Sequence, residues 1–188
     1  IEAGTFMIAA AATHGDVVIN NVIPTHLEAI SAKLMESGAQ VIEGDDGRDF
    51  FIRVSSNSRA RAVNIKTLPY PGFPTDLQQP MMAYLSTAQG NSFVVENIFE
   101  DRFNHVAELQ RMGANITLNA RTAMIEGVAQ LSGAPLFATD LRAGAALIVA
   151  ALAAEGQSQV HNIGYIDRGY EFFEQKLRAL GADIKRVE

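Results

Sequence analysis

Glycine spacing divides this chain into three copies of one plan. Gly15 and Gly38, Gly90 and Gly113, and Gly156 and Gly181 form pairs separated by 23, 23 and 25 residues, and the second glycine of each pair is followed by alanine. Asn21, Asn97 and Asn162 fall in step with these pairs. The period is about 70 residues, longer than a simple solenoid repeat, so each copy has to hold several secondary-structure elements. The copies run over about 1–68, 69–136 and 137–188, which we read as one domain spanning 1–188.

Each copy reads as helix, glycine, short strand, loop, helix, Gly-Ala, strand. The first glycine of each pair (Gly15, Gly90, Gly156) suits a left-handed helix end. Segments such as "VVIN", "SFVVEN" and "SQVHNI" are short and β-branched, as strands are. The second helices are amphipathic, with Leu27, Ile30 and Leu34 on one face of the first copy and Phe173, Leu177 and Leu180 on one face of the third. The first helices differ. "FMIAAAA" and "AGAALIVAALAA" are apolar all round and rich in alanine, so protein surrounds them on every side. Three such helices, packed around a pseudo-threefold axis with strands and amphipathic helices outside, are the expected core. Further strands are expected at "DFFIRVSS", "AVNIKT", "TAMIEGV" and "PLFATD", whereas only "KRVE" follows the third copy. The third unit therefore lacks a strand pair, which we expect to come from chain that precedes Ile1 or from elsewhere.

Composition narrows the chemistry. Of the 188 residues, 48% are apolar and 19% charged, an ordinary globular balance. A net charge of −6 argues against a broad nucleic-acid or anionic-membrane footprint. The longest apolar run, Ala143 to Ala154, is too short to span a bilayer. There is no cysteine, so this segment holds no disulfide, thiolate metal site or cysteine nucleophile. His14, His26, His105 and His161 lack metal-ligand spacing, and neither a phosphate-binding loop nor a dinucleotide fingerprint is present.

Four places invite a functional reading. In "PGFPTDLQQP", Thr75 reads as a helix N-cap and Asp76 as an acid that complements the helix dipole, and "ATDLRAG" repeats the pattern at Thr139 and Asp140. On pattern alone this capping role outweighs a chemical one. Arg102 and Arg168 occupy matching positions, each placed where a second helix begins. A cation there opposes the dipole unless an anion is bound, and a local surface pair with Asp101 or Asp167 competes evenly with that reading. Asp140 and Arg142 read equally as a cap followed by a solvated cation.

These residues also lie within longer matches. "IEAGTF", "FPTDLQQ", "FEDRFNHVAELQRMGA", "LSGA", "ATDLRAGAAL" and "IDRGYE…KLRALGA" resemble the UDP-N-acetylglucosamine enolpyruvyl transferases over essentially the whole chain. The resemblance implies an α/β (α+β) fold of three βαβαββ units in a pseudo-threefold, inside-out α/β barrel, one of two such domains flanking a catalytic cleft. It implies transfer of the enolpyruvyl group of phosphoenolpyruvate to the 3-hydroxyl of UDP-N-acetylglucosamine, early in cytoplasmic peptidoglycan precursor synthesis, with no metal or organic cofactor. By resemblance Asp76 is the general base. Ile98 contacts the UDP-sugar through its backbone, Arg102 and Arg168 line the cleft and hold anionic groups, and Asp140 and Arg142 help organise it. The expected partners are the two substrates, the preceding amino-terminal segment and the other domain, with no nucleic acid or membrane. The family's catalytic cysteine or aspartate and its lysine-asparagine pair fall outside this segment, which alone is expected to be inactive. A 3-phosphoshikimate enolpyruvyl transferase and a non-catalytic UDP-sugar-binding module are the alternatives.

Overall fold

The structure is a computed structural model that describes residues 1–45 and 47–187. Three apolar helices, α1 (Glu2–Ala12), α3 (Gln78–Leu85) and α5 (Leu141–Ala153), pack against one another at its centre. Met7, Met81, Met82 and Leu147 are wholly buried among them. Alanine supplies most of the remaining surface of α1 and α5, so their backbones approach closely. The shorter helices α2 (Glu28–Ser37), α4 (Val106–Arg111) and α6 (Phe173–Ala179) cover the outside.

The strands repeat one arrangement to different extents. In the first copy, β1 (Asp16–Asn20) and β2 (Gln40–Asp45) flank β3 (Phe50–Ser55), all antiparallel. In the second, β5 (Asn91–Val95) and β6 (Asn115–Asn119) flank β7 (Thr122–Glu126) in the same way. The short β4 (Ile65–Lys66) adds in parallel to β5. In the same way β8 (Pro135–Phe137), at the junction of the second and third copies, pairs in parallel with β9 (Gln159–His161) of the third. Residues 182–187 form no strand.

Several local expectations are corrected. Gly90 and Gly156 adopt left-handed φ values of 105° and 87°, but in the first copy His14 takes that conformation (φ 54°) and Gly15 does not. Gly38, Gly113 and Gly181 are all left-handed and end their helices as expected. Phe173 and Leu177 are buried, whereas Leu180 caps α6 and is half exposed. Neither Arg102 nor Arg168 begins a helix. Arg102 lies in the loop before α4, and Arg168 ends a 3-10 turn, Ile163–Arg168, ahead of α6. The supposed conflict with a helix dipole is therefore absent.

Two glycines in the central helices seat the surface turns. A Cβ on Gly4 would stand 2.3 Å from Leu77 Cδ1, within the 3-10 turn Thr75–Leu77. One on Gly144 would stand 2.4 Å from Ile166 Cγ1, within the turn that ends at Arg168. The absence of a side chain lets each turn lie directly on a helix.

Candidate active site

Asp76 sits in the turn between the first and second copies. Gly72 closes the preceding bend by donating its N–H to Pro69 O (2.8 Å), and a Cβ at Gly72 would collide with Leu68. Pro74 then enters the 3-10 turn in an extended conformation, with Leu77 N donating to Pro74 O (3.1 Å). Asp76 is thus inside the turn and partly exposed. Thr75 does not cap the helix as expected; its hydroxyl donates to Glu96 Oε2 (3.0 Å).

Asp140 does what the pattern expected of Thr139. Its backbone is extended (φ −159°), and its carboxylate accepts from Arg142 N (2.8 Å) and Ala143 N (3.1 Å) at the start of α5. Capping fixes Arg142 in the first turn, from which its Nε donates to Asp76 Oδ1. Arg102 approaches the same oxygen, with Nη1 at 3.5 Å, so it pairs with Asp76 rather than with Asp101. The Arg102 side chain is only 13% exposed, and its guanidinium lies 4.0 Å above the Phe99 ring centroid. Gln79 on α3 donates to Arg102 O (2.9 Å) and holds the backbone there.

The result is a carboxylate with two unlike oxygens. Asp76 Oδ1 meets two guanidinium groups, and among the described residues no hydrogen bond reaches Oδ2. An anchored carboxylate with one open oxygen can accept a proton from a hydroxyl placed against it. The two cations beside it can hold an anion or stabilise developing negative charge. Tyr170 lies nearby, its hydroxyl 2.9 Å from Thr5 Oγ1. Burial pushes the phenol up to about 12, with the charges of Asp76 and Glu2 adding to the effect, so it stays neutral at ordinary pH.

The other expected residues lie further out. Ile98 is half-buried rather than core; its N–H is taken by Glu96 Oε1 (2.8 Å), and its carbonyl accepts no hydrogen bond among the described residues. A backbone contact to a ligand at Ile98 would therefore use the carbonyl. Arg168 is exposed beside the Tyr165 ring (5.3 Å), in a hollow it shares with Asn162 and Gly164. Asp167 pairs with Arg186 (2.6 Å), not with Arg168, and no hydrogen bond or ion pair among the described residues joins Arg168 to Asp76.

Two residues had no sequence signal. Glu96 is buried at the end of β5. His105 is wholly buried next to Asp140, and neither ring nitrogen has a partner among the described residues. Burial lowers its pKa to about 4, against the opposing pull of Asp140, so the ring is neutral at pH 7. The described residues hold no cluster of potential metal ligands and no helix long and apolar enough to cross a membrane.

The chain is similar to known proteins over nearly its whole length. The EPSP synthase (3-phosphoshikimate 1-carboxyvinyltransferase) family matches residues 1–177. A UDP-N-acetylglucosamine 1-carboxyvinyltransferase from Desulfofundulus thermocisternus is 59% identical over 187 residues, covering 100% of this chain and 75% of that protein. UDP-N-acetylglucosamine 1-carboxyvinyltransferase 2 from Carboxydothermus hydrogenoformans is 58% identical across 100% of this chain and 44% of its own length. The chain thus spans less than half of that relative. Among solved structures, the enolpyruvyl transferase NikO from Streptomyces tendae aligns with a TM-score of 0.82 at 27% identity, over 98% of this chain and 43% of the other. EPSP synthase from Acinetobacter baumannii aligns with a TM-score of 0.77 at 19% identity, over 100% of this chain and 46% of that one, and so shares the fold.

Proposed function

We propose, from the premise that this chain belongs to the EPSP synthase family of 1-carboxyvinyltransferases, that it is half of an enzyme making enolpyruvyl UDP-N-acetylglucosamine. The observation that carries this reading is Asp76, with Oδ1 fixed by Arg142 and Arg102 and Oδ2 left open. The 3-hydroxyl of the UDP-sugar would give its proton to Asp76 as its oxygen bonds to C2 of phosphoenolpyruvate, while C3 takes a proton from an acid elsewhere in the full-length protein. Loss of a C3 proton and departure of phosphate then restore the double bond. Arg102 and Arg142 would offset charge on the phosphate or carboxylate during both steps. Arg168, at the rim, would engage the donor once the second half closes over the cleft and excludes water.

The reaction needs no metal or organic cofactor. Water-soluble, multiply charged substrates of this kind favour a cytoplasmic reaction, whose product would feed peptidoglycan synthesis and so cell shape and division. The other half of the protein and the preceding segment would complete the site, and the chain by itself would not turn over.

Phosphate release by the full-length protein, with UDP-N-acetylglucosamine and shikimate 3-phosphate as acceptors in turn, tests the proposal. Turnover with the UDP-sugar alone is expected. Turnover only with shikimate 3-phosphate would overturn the substrate assignment, and release with neither would favour a binding module.

A further inference from the structure

We infer that Glu96 is a positioning residue for this site, holding Asp76 and Arg102 in register through a closed ring of contacts. The inference rests on the function proposed above for Asp76. Glu96 is 1% exposed, and no ion pair reaches it among the described residues. Four donors satisfy it instead. Oε1 accepts from Thr67 Oγ1 (2.9 Å), Ile98 N (2.8 Å) and Phe99 N (3.1 Å), and Oε2 accepts from Thr75 Oγ1 (3.0 Å). A buried carboxylate without a cation needs this many donors to offset its lost hydration.

The donors come from three separate stretches of chain, and two of them continue directly into the site. From Thr75 the chain passes to Asp76 in the same turn. On the other side, Phe99 lies under the guanidinium of Arg102, whose Nη1 returns to Asp76 Oδ1. Glu96, Thr75, Asp76, Arg102 and Phe99 thus close a ring, and Glu96 fixes both ends of the Asp76–Arg102 pair. Thr67 braces it from β4's side, since its Oγ1 also accepts from Asn97 N (2.8 Å). The corresponding positions of the other copies, Asn20 and His161, are exposed and hold no such carboxylate. The device therefore belongs to the one copy that carries Asp76, which indicates a role beyond holding up the repeat.

Replacing Glu96 with glutamine keeps the volume but turns one acceptor oxygen into a donor, which faces donors already present. In the full-length protein, Glu96→Gln is expected to lower kcat about tenfold, with KM for both substrates within about threefold, because misplacing a reacting group costs rate more than affinity. Phe99→Leu opens the ring at its other side. The double variant is expected to lose no more kcat than the worse single one, since both break one path. A purely structural role would instead multiply the two losses. Amide exchange gives a readout independent of turnover. In Glu96→Gln the N–H groups of Ile98 and Phe99 are expected to exchange at least about tenfold faster while α5 stays protected. A kcat within about twofold of the unaltered protein, multiplicative losses, or unchanged exchange at Ile98 and Phe99 would each overturn the inference. If the unaltered protein shows no enolpyruvyl transfer, the function proposed above fails, and the exchange measurement still decides whether Glu96 holds this loop.

Discussion

Thr75-Asp76-Leu77 and Thr139-Asp140-Leu141 are the same tripeptide at the same point of two successive copies, yet their aspartates are used in opposite ways. Asp140 turns its carboxylate inward and caps α5 through Arg142 N and Ala143 N. Asp76 caps nothing; its carboxylate faces the guanidinium groups of Arg142 and Arg102. The difference begins one residue earlier. Pro74 starts a 3-10 turn that carries Asp76 past the capping position, whereas Ala138 and Thr139 lead into an extended Asp140. The residue two places after each aspartate completes the contrast. It is the buried Gln78 in one copy and Arg142 in the other, and Arg142 reaches back to Asp76. One junction supplies the scaffold, and the other supplies the reactive group it holds.

Arg142 links the junctions, so its loss should have the largest effect. Arg142→Ala in the full-length protein is expected to lower kcat about 10²-fold or more, as when a positioned donor is removed from a developing anion. Arg142→Lys should recover only part of this, because an ammonium cannot reproduce the directed Nε–H contact. Steady-state phosphate release reads both variants.

The scaffold side should respond to acid through His105. Free histidine protonates near 6.5, but burial delays this to about 4 in the folded protein. Between those values the unfolded chain binds a proton that the native state refuses. Stability is therefore complete above pH 6.5 and falls by about 3 kcal/mol as pH drops towards 4. Denaturant melts at pH 7 and 4.5 should show this loss, and His105→Leu should flatten it.

Packing beneath Asp76 comes next. Gly4→Ala places a methyl against Leu77 and should cost about 1–2 kcal/mol, read as a lower denaturation midpoint. The smallest effect belongs to the cap. Asp140→Ala should cost about 1 kcal/mol, and Asp140→Asn only a few tenths, since asparagine caps equally well.

Much of the fold was legible because it is written in local pattern. Left-handed glycines and β-branched runs repeat with the period of the copies, and the all-apolar helices announce their burial. The limits are physical. Whether His14 or Gly15 takes the left-handed position depends on how α1 ends, and both are adjacent in sequence. Asp76 and Asp140 stand in the same Thr-Asp-Leu tripeptide and differ nearby at Pro74 against Ala138 and Gln78 against Arg142, and neither difference shows in sequence that Arg142 reaches an aspartate 66 residues away. Glu96 reads as an ordinary charged strand end until the donors from Thr67 and Thr75 surround it. His105 gave no signal because its burial is made by tertiary packing alone.

The most direct test sets the two aspartates against each other. Phosphate release from phosphoenolpyruvate and UDP-N-acetylglucosamine is measured for full-length Asp76→Asn and Asp140→Asn, with folding checked by thermal melting. Asp76→Asn is expected to lose at least about 10²-fold in kcat while remaining folded, because its amide cannot accept the hydroxyl proton, and Asp140→Asn should stay within about threefold. Turnover by a folded Asp76→Asn protein near the unaltered rate would contradict the role assigned to Asp76.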